Sequence, residues 1–261
     1  MSFAQTVVLA AFAGGTIFLG LPVGRVRGLT RQWQAALTTA AGGVILFLIY
    51  DVLSQAVEPV KTALETARGG GSAGDFIIYA ATLGFSVALG LLSVTYVASR
   101  MAARHGGGIP ITPRQVALGT AVGLGLHNFS EGLAIGQSAA TGATAFALIL
   151  VIGFALHNAT EGFAISAPLG QGDAPSLSFL GAAGVVGGGP TFAGGMLGYA
   201  IVSPILSILF LGLAAGALIF VFNEMMAVSR RLSVPIVTGV ALTIGLLAAF
   251  ATDFILTAAG A

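Results

Sequence analysis

The chain has 261 residues, 56% of them hydrophobic and 7% charged, with a mean hydropathy of +1.00. A water-soluble domain carries about 25% charged residues, so this composition excludes one, and a net charge of +1 offers no electrostatic basis for binding nucleic acid. With no cysteine, disulfides, thiolate metal sites and cysteine nucleophiles are also excluded.

A membrane-spanning helix needs about 20 mainly apolar residues. Taken along the chain, that requirement predicts eight helices, at 2–23, 33–57, 75–99, 115–138, 143–167, 176–201, 205–228 and 235–258. The expected fold is one all-α integral membrane domain over 1–261, with short loops throughout. The first stretch is uncharged from Met1 to Leu21, and Arg25 comes only after it. A secretory signal carries its basic residues first, so this stretch is expected to be a retained helix. Trp33 opens the second helix as an interfacial anchor. Glu58, Lys61, Glu65 and Arg68 follow that helix with the spacing of a short helical segment in the connecting loop. His105 lies in the loop between the third and fourth helices and is read as solvated. Pro168 to Pro175 forms a polar break, and Gly187, Gly188, Gly189 and Pro190 are expected to interrupt the sixth helix. Gly119/Gly123, Gly194/Gly198 and Gly212/Gly216 have the spacing that lets helices approach closely, within or between subunits.

The basic residues set the expected orientation. With eight spans, Arg25, Arg27, Arg31, Arg100, Arg104, Arg114, Arg230 and Arg231 share one side, which is eight of the ten Lys and Arg residues. Basic loops stay cytoplasmic, so both termini are expected to be extracytoplasmic.

An ionisable side chain at the bilayer centre costs about 2.5–3.5 kcal/mol on insertion scales, so it generally faces a partner, a cavity or an ion. Asp51, Glu131, Glu161, Glu224 and Asp253 fall within predicted spans, as do His127 and His157. The last two belong to a repeat: Gly125 to Gly136 read GLHNFSEGLAIG and Ala155 to Ser166 read ALHNATEGFAIS, at an offset of 30 residues. His and Glu four apart share a helix face, about 6 Å apart along the axis, with Asn128 and Asn158 about 100° round from their histidines. Each set lies mid-span, so antiparallel neighbours would bring both to one depth, placing a site between the fourth and fifth helices. Imidazole with carboxylate suits zinc, iron, manganese, nickel or cobalt, and the lack of thiolate argues against copper(I). Gly132 and Gly162, directly after each Glu, would allow close backbone approach. Asp51, toward the outer end of its helix, and Glu224, toward the inner end of its own, are candidate pathway ligands. Asp253 is read as a solvated carboxylate near the outer surface.

The paired HNxxEG segments resemble the metal-site signatures of the ZIP (Zrt/Irt-like) family of metal transporters, in its prokaryotic form. The eight-helix plan with both termini outside agrees with that family across nearly the whole chain. The resemblance implies uptake of zinc or a related divalent ion (iron, manganese, cobalt or cadmium) toward the cytoplasm, through an elevator-like movement of one helix group past another. It implies a principal site of His127, Glu131, His157 and Glu161, with Asn128 and Asn158 serving a neighbouring site that Glu161 bridges. It is compatible with a homodimer in a prokaryotic plasma membrane.

Three features depart from the family pattern. Ser130 and Thr160 stand where a proline usually precedes the glutamate, and each is expected to bend its helix weakly by bonding the carbonyl four residues back. Gly189 precedes Pro190 where the family has a glutamate, so the expected site holds one ion or a weaker, water-completed second one. The loop containing His105 carries no run of histidines.

No phosphate-binding loop accompanies these features, so transport is expected to be secondary or passive, with no resident cofactor and no catalysis. An inside-negative potential of about 100 mV contributes about 4.6 kcal/mol to the inward movement of a dication. Two other classes use the same residues: an intramembrane zinc-dependent hydrolase, and a non-transporting metal sensor. The hydrolase needs one carboxylate kept free as a general base, an asymmetric task that the near-symmetric repeat fits poorly. The sensor gives no role to Asp51 and Glu224.

Overall fold

Polar side chains placed just ahead of apolar runs start most of the helices. Ser2 and Gln5 form a capping box, as do Thr112 and Gln115, while Thr30, Ser176 and Ser203 accept from the backbone N–H of Trp33, Phe179 and Leu206. Such caps answer N–H groups that have no partner within the helix, a need that is acute in a lipid environment. The computed structural model describes residues 1–104, 112–171, 174–201 and 203–258, so His105 lies outside the described residues.

Among the described residues there are eight α-helices and no strand: α1 Phe3–Gly15, α2 Arg31–Arg68, α3 Gly74–Arg104, α4 Pro113–Ala140, α5 Thr144–Ser166, α6 Leu177–Ala200, α7 Pro204–Leu232 and α8 Pro235–Ala258. Among the described residues, six segments are long and apolar enough to cross a membrane: Phe3–Arg25, Arg31–Arg68, Gly74–Val97, Thr144–Gly170, Pro204–Leu232 and Pro235–Ile255. The molecule is an all-α, multi-pass membrane protein. The segments α4 and α6 are not among those six. The first carries His127, Asn128 and Glu131, and the second is rich in glycine, so both have diluted hydropathy.

Three expectations about the elements are corrected. The first helix ends at Gly15 and continues as 3-10 turns over Thr16–Leu19 and Leu21–Arg25, where Gly20 and Pro22 interrupt regular α geometry. The second helix does not stop near 57. It runs through Pro59 to Arg68, so Glu58, Lys61, Glu65 and Arg68 continue α2 rather than forming a separate piece. The Gly187–Gly188–Gly189–Pro190 stretch does not break the sixth helix, since α6 is continuous across Pro190.

Contacts divide the helices into two groups. One comprises α1, α4, α5 and α6, with the pair α4 and α6 most extensively packed; the other comprises α2, α3, α7 and α8. The groups meet mainly where α4 lies on α7 and α5 on α8. Phe47, Leu48, Leu124, Leu218 and Met225 are fully buried in the core that spans both groups. The outer faces of α3 and α8 present exposed apolar side chains, among them Ile77, Phe85, Leu92, Ile244, Leu247 and Phe254.

Candidate functional site

The two HNxxEG segments fall on α4 and α5, and the structure brings them together. His127, Asn128, Glu131, Asn158 and Glu161 are all buried, with no more than 5% of any of them exposed. The side chain of His157 lies outside the described residues, while its backbone belongs to α5.

The carboxylates are held in a crossed arrangement. Asn128 Nδ2, on α4, donates to Glu161 Oε2 on α5 at 2.7 Å. Asn158 Nδ2, on α5, donates to Glu131 Oε2 on α4 at 3.4 Å. The amides are themselves joined, Asn128 Nδ2 donating to Asn158 Oδ1 at 2.7 Å. One oxygen of each glutamate is thus engaged by the asparagine of the other helix.

The remaining oxygens turn to a common neighbour. His127 Nε2 lies 3.5 Å from Glu131 Oε1 and 3.8 Å from Glu161 Oε1. Those separations are long for N–H···O hydrogen bonds. They lie close to the edge of a tetrahedron of N and O ligands, about 3.4 Å for ligand distances of about 2.0–2.1 Å. Among the described residues, no set of three His, Cys, Asp or Glu side chains is already drawn in to hold a metal ion. The imidazole and two carboxylate oxygens have the donor chemistry for zinc or a related dication. A bound dication would also offset the cost of keeping two carboxylates in a buried site.

The motif glycines have a different role from the one expected. They do not bring α4 and α5 together. A Cβ on Gly132 would collide with Thr191 O of α6, and one on Gly162 would collide with Ile17 O, just beyond α1. Each glycine therefore seats a third helix segment directly behind a candidate ligand. Ser166 Oγ donates to Gly20 O at 3.0 Å and ties α5 to the same turns after α1.

Ser130 does not bond the carbonyl four residues back; its buried hydroxyl has no hydrogen-bond partner among the described residues. Both α4 and α5 run unbroken through the positions where proline was the comparison.

Asp51 is half-buried on α2, accepts from Gln55 Nε2 at 2.8 Å, and acts electrostatically on Glu131, Glu161 and Asp253. Glu224 is half-buried on α7, and no hydrogen bond or ion pair ties it to the cluster among the described residues. One participant was missed by sequence reasoning: the main-chain carbonyl of Gly187 on α6, which accepts from Asn128 Nδ2 at 3.0 Å. The glycine run was a visible signal, but it was read as the loss of a ligand and a break in the helix. No protein-family model matches the chain, and no curated protein matches it either.

Proposed function

We propose that this protein is a secondary or passive transporter that imports divalent transition-metal ions, zinc foremost, toward the cytoplasm. The observation that carries this reading is the convergence of Glu131 Oε1 and Glu161 Oε1 on His127 Nε2, from two helices, inside a buried polar cluster. Buried ionisable groups within apolar spans are costly unless they serve an ion or a relay, and this set has the hard and borderline donors that zinc, iron, manganese, cobalt and cadmium accept. His157, on the same helix as Glu161, supplies the fourth strong donor in this reading, and Asp51 stands on the outer approach. Eight spans with both termini extracytoplasmic place the arginine-rich connections inside. The division into two helix groups supports an elevator-like movement, with α1, α4, α5 and α6 carrying the site.

The crossed carboxylates favour transport over hydrolysis. Both glutamates turn an oxygen toward the imidazole, so neither is set aside as a general base. Cells producing the protein are expected to accumulate radioactive zinc above control cells, and cells producing Glu161→Ala are not. Equal accumulation by native and variant cells would defeat the proposal. Metal-dependent cleavage of lipid or peptide without accumulation would assign the cluster to an enzyme.

A further inference from the structure

The geometry points to Asn128 as a positioning residue that holds Glu161 for the incoming ion through its amide N–H groups, rather than as a metal ligand. The inference rests on the transport reading for its cargo, but its structural argument stands on the hydrogen bonds alone.

The orientation of the Asn128 amide is fixed by chemistry. Its Nδ2 lies 3.0 Å from Gly187 O, and a main-chain carbonyl can only accept. The group facing it must therefore be the NH2. Asn158 then presents its oxygen to the same NH2, which leaves the Asn158 nitrogen directed at Glu131. One backbone carbonyl on α6 thus sets the polarity of the whole chain of contacts: Glu131, Asn158, Asn128, Glu161.

Donor counting adds a second point. The Asn128 NH2 has two hydrogens, yet three oxygens stand within 3.0 Å of it: Asn158 Oδ1, Glu161 Oε2 and Gly187 O. One acceptor is always under-served. When a cation draws Glu161 away, the two hydrogens still have two acceptors, and no buried N–H is orphaned. Asn128 can therefore hold Glu161 and release it at little cost, while staying anchored to α6. Its own Oδ1 has no hydrogen-bond partner among the described residues, and turning the amide over to bring that oxygen beside Glu161 would set it against two acceptors, Glu161 Oε2 and Gly187 O.

The test compares Asn128→Asp, an isosteric change that removes both N–H donors and adds a carboxylate, with the native full-length protein in detergent. A positioning role predicts zinc affinity lower by about 10–100-fold, the usual cost of losing a group that orients a ligand, with no additional ion bound. It also predicts a lower thermal midpoint in metal-free protein, partly recovered in Asn128→Asp/Glu161→Gln, where the donor and acceptor are exchanged. Equal or tighter zinc binding by Asn128→Asp, or a second ion bound to it, would make Asn128 a ligand and overturn the inference. An unchanged metal-free midpoint, or no recovery in the double variant, would overturn it as well. If Asn128→Asp does not fold, the double variant decides: it folds if the donor–acceptor pair is what matters. Native protein that binds no zinc would sink the transport reading instead, and the metal-free comparison would still decide the part played by Asn128.

Discussion

Asn158 reaches from α5 to Glu131 on α4 at 3.4 Å, the counterpart of the 2.7 Å contact by which Asn128 reaches from α4 to Glu161 on α5. A repeat of His–Asn–x–x–Glu at an offset of 30 residues thereby becomes a pair of crossed braces. Each brace occupies one carboxylate oxygen and leaves the other toward His127. The two are unequal, since the Asn158 contact is longer and its amide makes no bond to α6 among the described residues. Asn158→Ala is therefore expected to weaken zinc binding less than Asn128→Ala does. Isothermal titration of both variants measures the order, and the reverse order would contradict this ranking.

Removing a proposed ligand should cost more than removing its brace. Loss of an orienting partner costs about 10–100-fold in metal affinity, so Glu161→Gln is expected to lower zinc affinity by about 100-fold or more. Because the amide that replaces the carboxylate keeps the side-chain shape, its thermal midpoint without metal should stay close to native. Equilibrium dialysis together with a melting curve separates the two effects.

Glycine substitutions test the packing behind the site. A Cβ at Gly132 or Gly162 meets backbone that cannot turn aside, whereas one at Gly189 meets only Val185 Cγ1, at 3.7 Å. Overpacking costs about 1–3 kcal/mol, and each kcal/mol lowers the midpoint by about 2–4 °C for a chain of this size. Gly132→Ala and Gly162→Ala are expected to melt several degrees below native, and Gly189→Ala within a degree or so of it. Differential scanning fluorimetry in detergent distinguishes them.

Gly189 also bears on the number of ions. The sequence expectation of at most a weak second site rests on this glycine standing in place of a glutamate. In the structure, however, residue 189 is exposed, while Gly187 and Gly188 are buried and the Gly187 carbonyl is bonded to Asn128. Gly189→Glu is accordingly expected to leave zinc stoichiometry unchanged. An additional ion bound to that variant, counted by elemental analysis after gel filtration, would contradict this placement.

The buried hydroxyl of Ser130 has no hydrogen-bond partner among the described residues. Leaving such a group unsatisfied costs about 1–3 kcal/mol, so Ser130→Ala is expected to melt at or above the native midpoint. A clear drop in midpoint would show that the hydroxyl is answered after all.

Much of this was legible in the sequence because its signals were local. The apolar runs place all eight helices, and the four-residue spacing of His127 and Glu131 puts both on one face of α4. The repeat correctly identified α4 and α5 as partners in the cluster. What escaped depends on three-dimensional packing. A glycine can break a helix or admit a neighbour, and sequence does not distinguish the two. Gly187, Gly188 and Gly189 looked like an interruption, yet α6 continues and packs along α4. Gly132 and Gly162 looked like an α4–α5 contact, yet they receive α6 and the turn after α1. Glu58, Lys61, Glu65 and Arg68 looked like a separate helical piece in a loop, yet α2 passes through Pro59 to Arg68. The Gly187 carbonyl could not be found from residue types at all, because every residue carries one.

The central claim is that the His127–Glu131–Glu161 cluster passes a divalent metal ion through the protein. It is tested most directly by zinc flux into proteoliposomes loaded with a metal-sensitive dye, comparing native protein with Glu161→Ala and His127→Ala, each shown to be folded by gel filtration. Saturable zinc influx by the native protein, lost in both variants, is the predicted result. Folded native protein that binds zinc but passes none, or variants that conduct as well as native, would contradict the account.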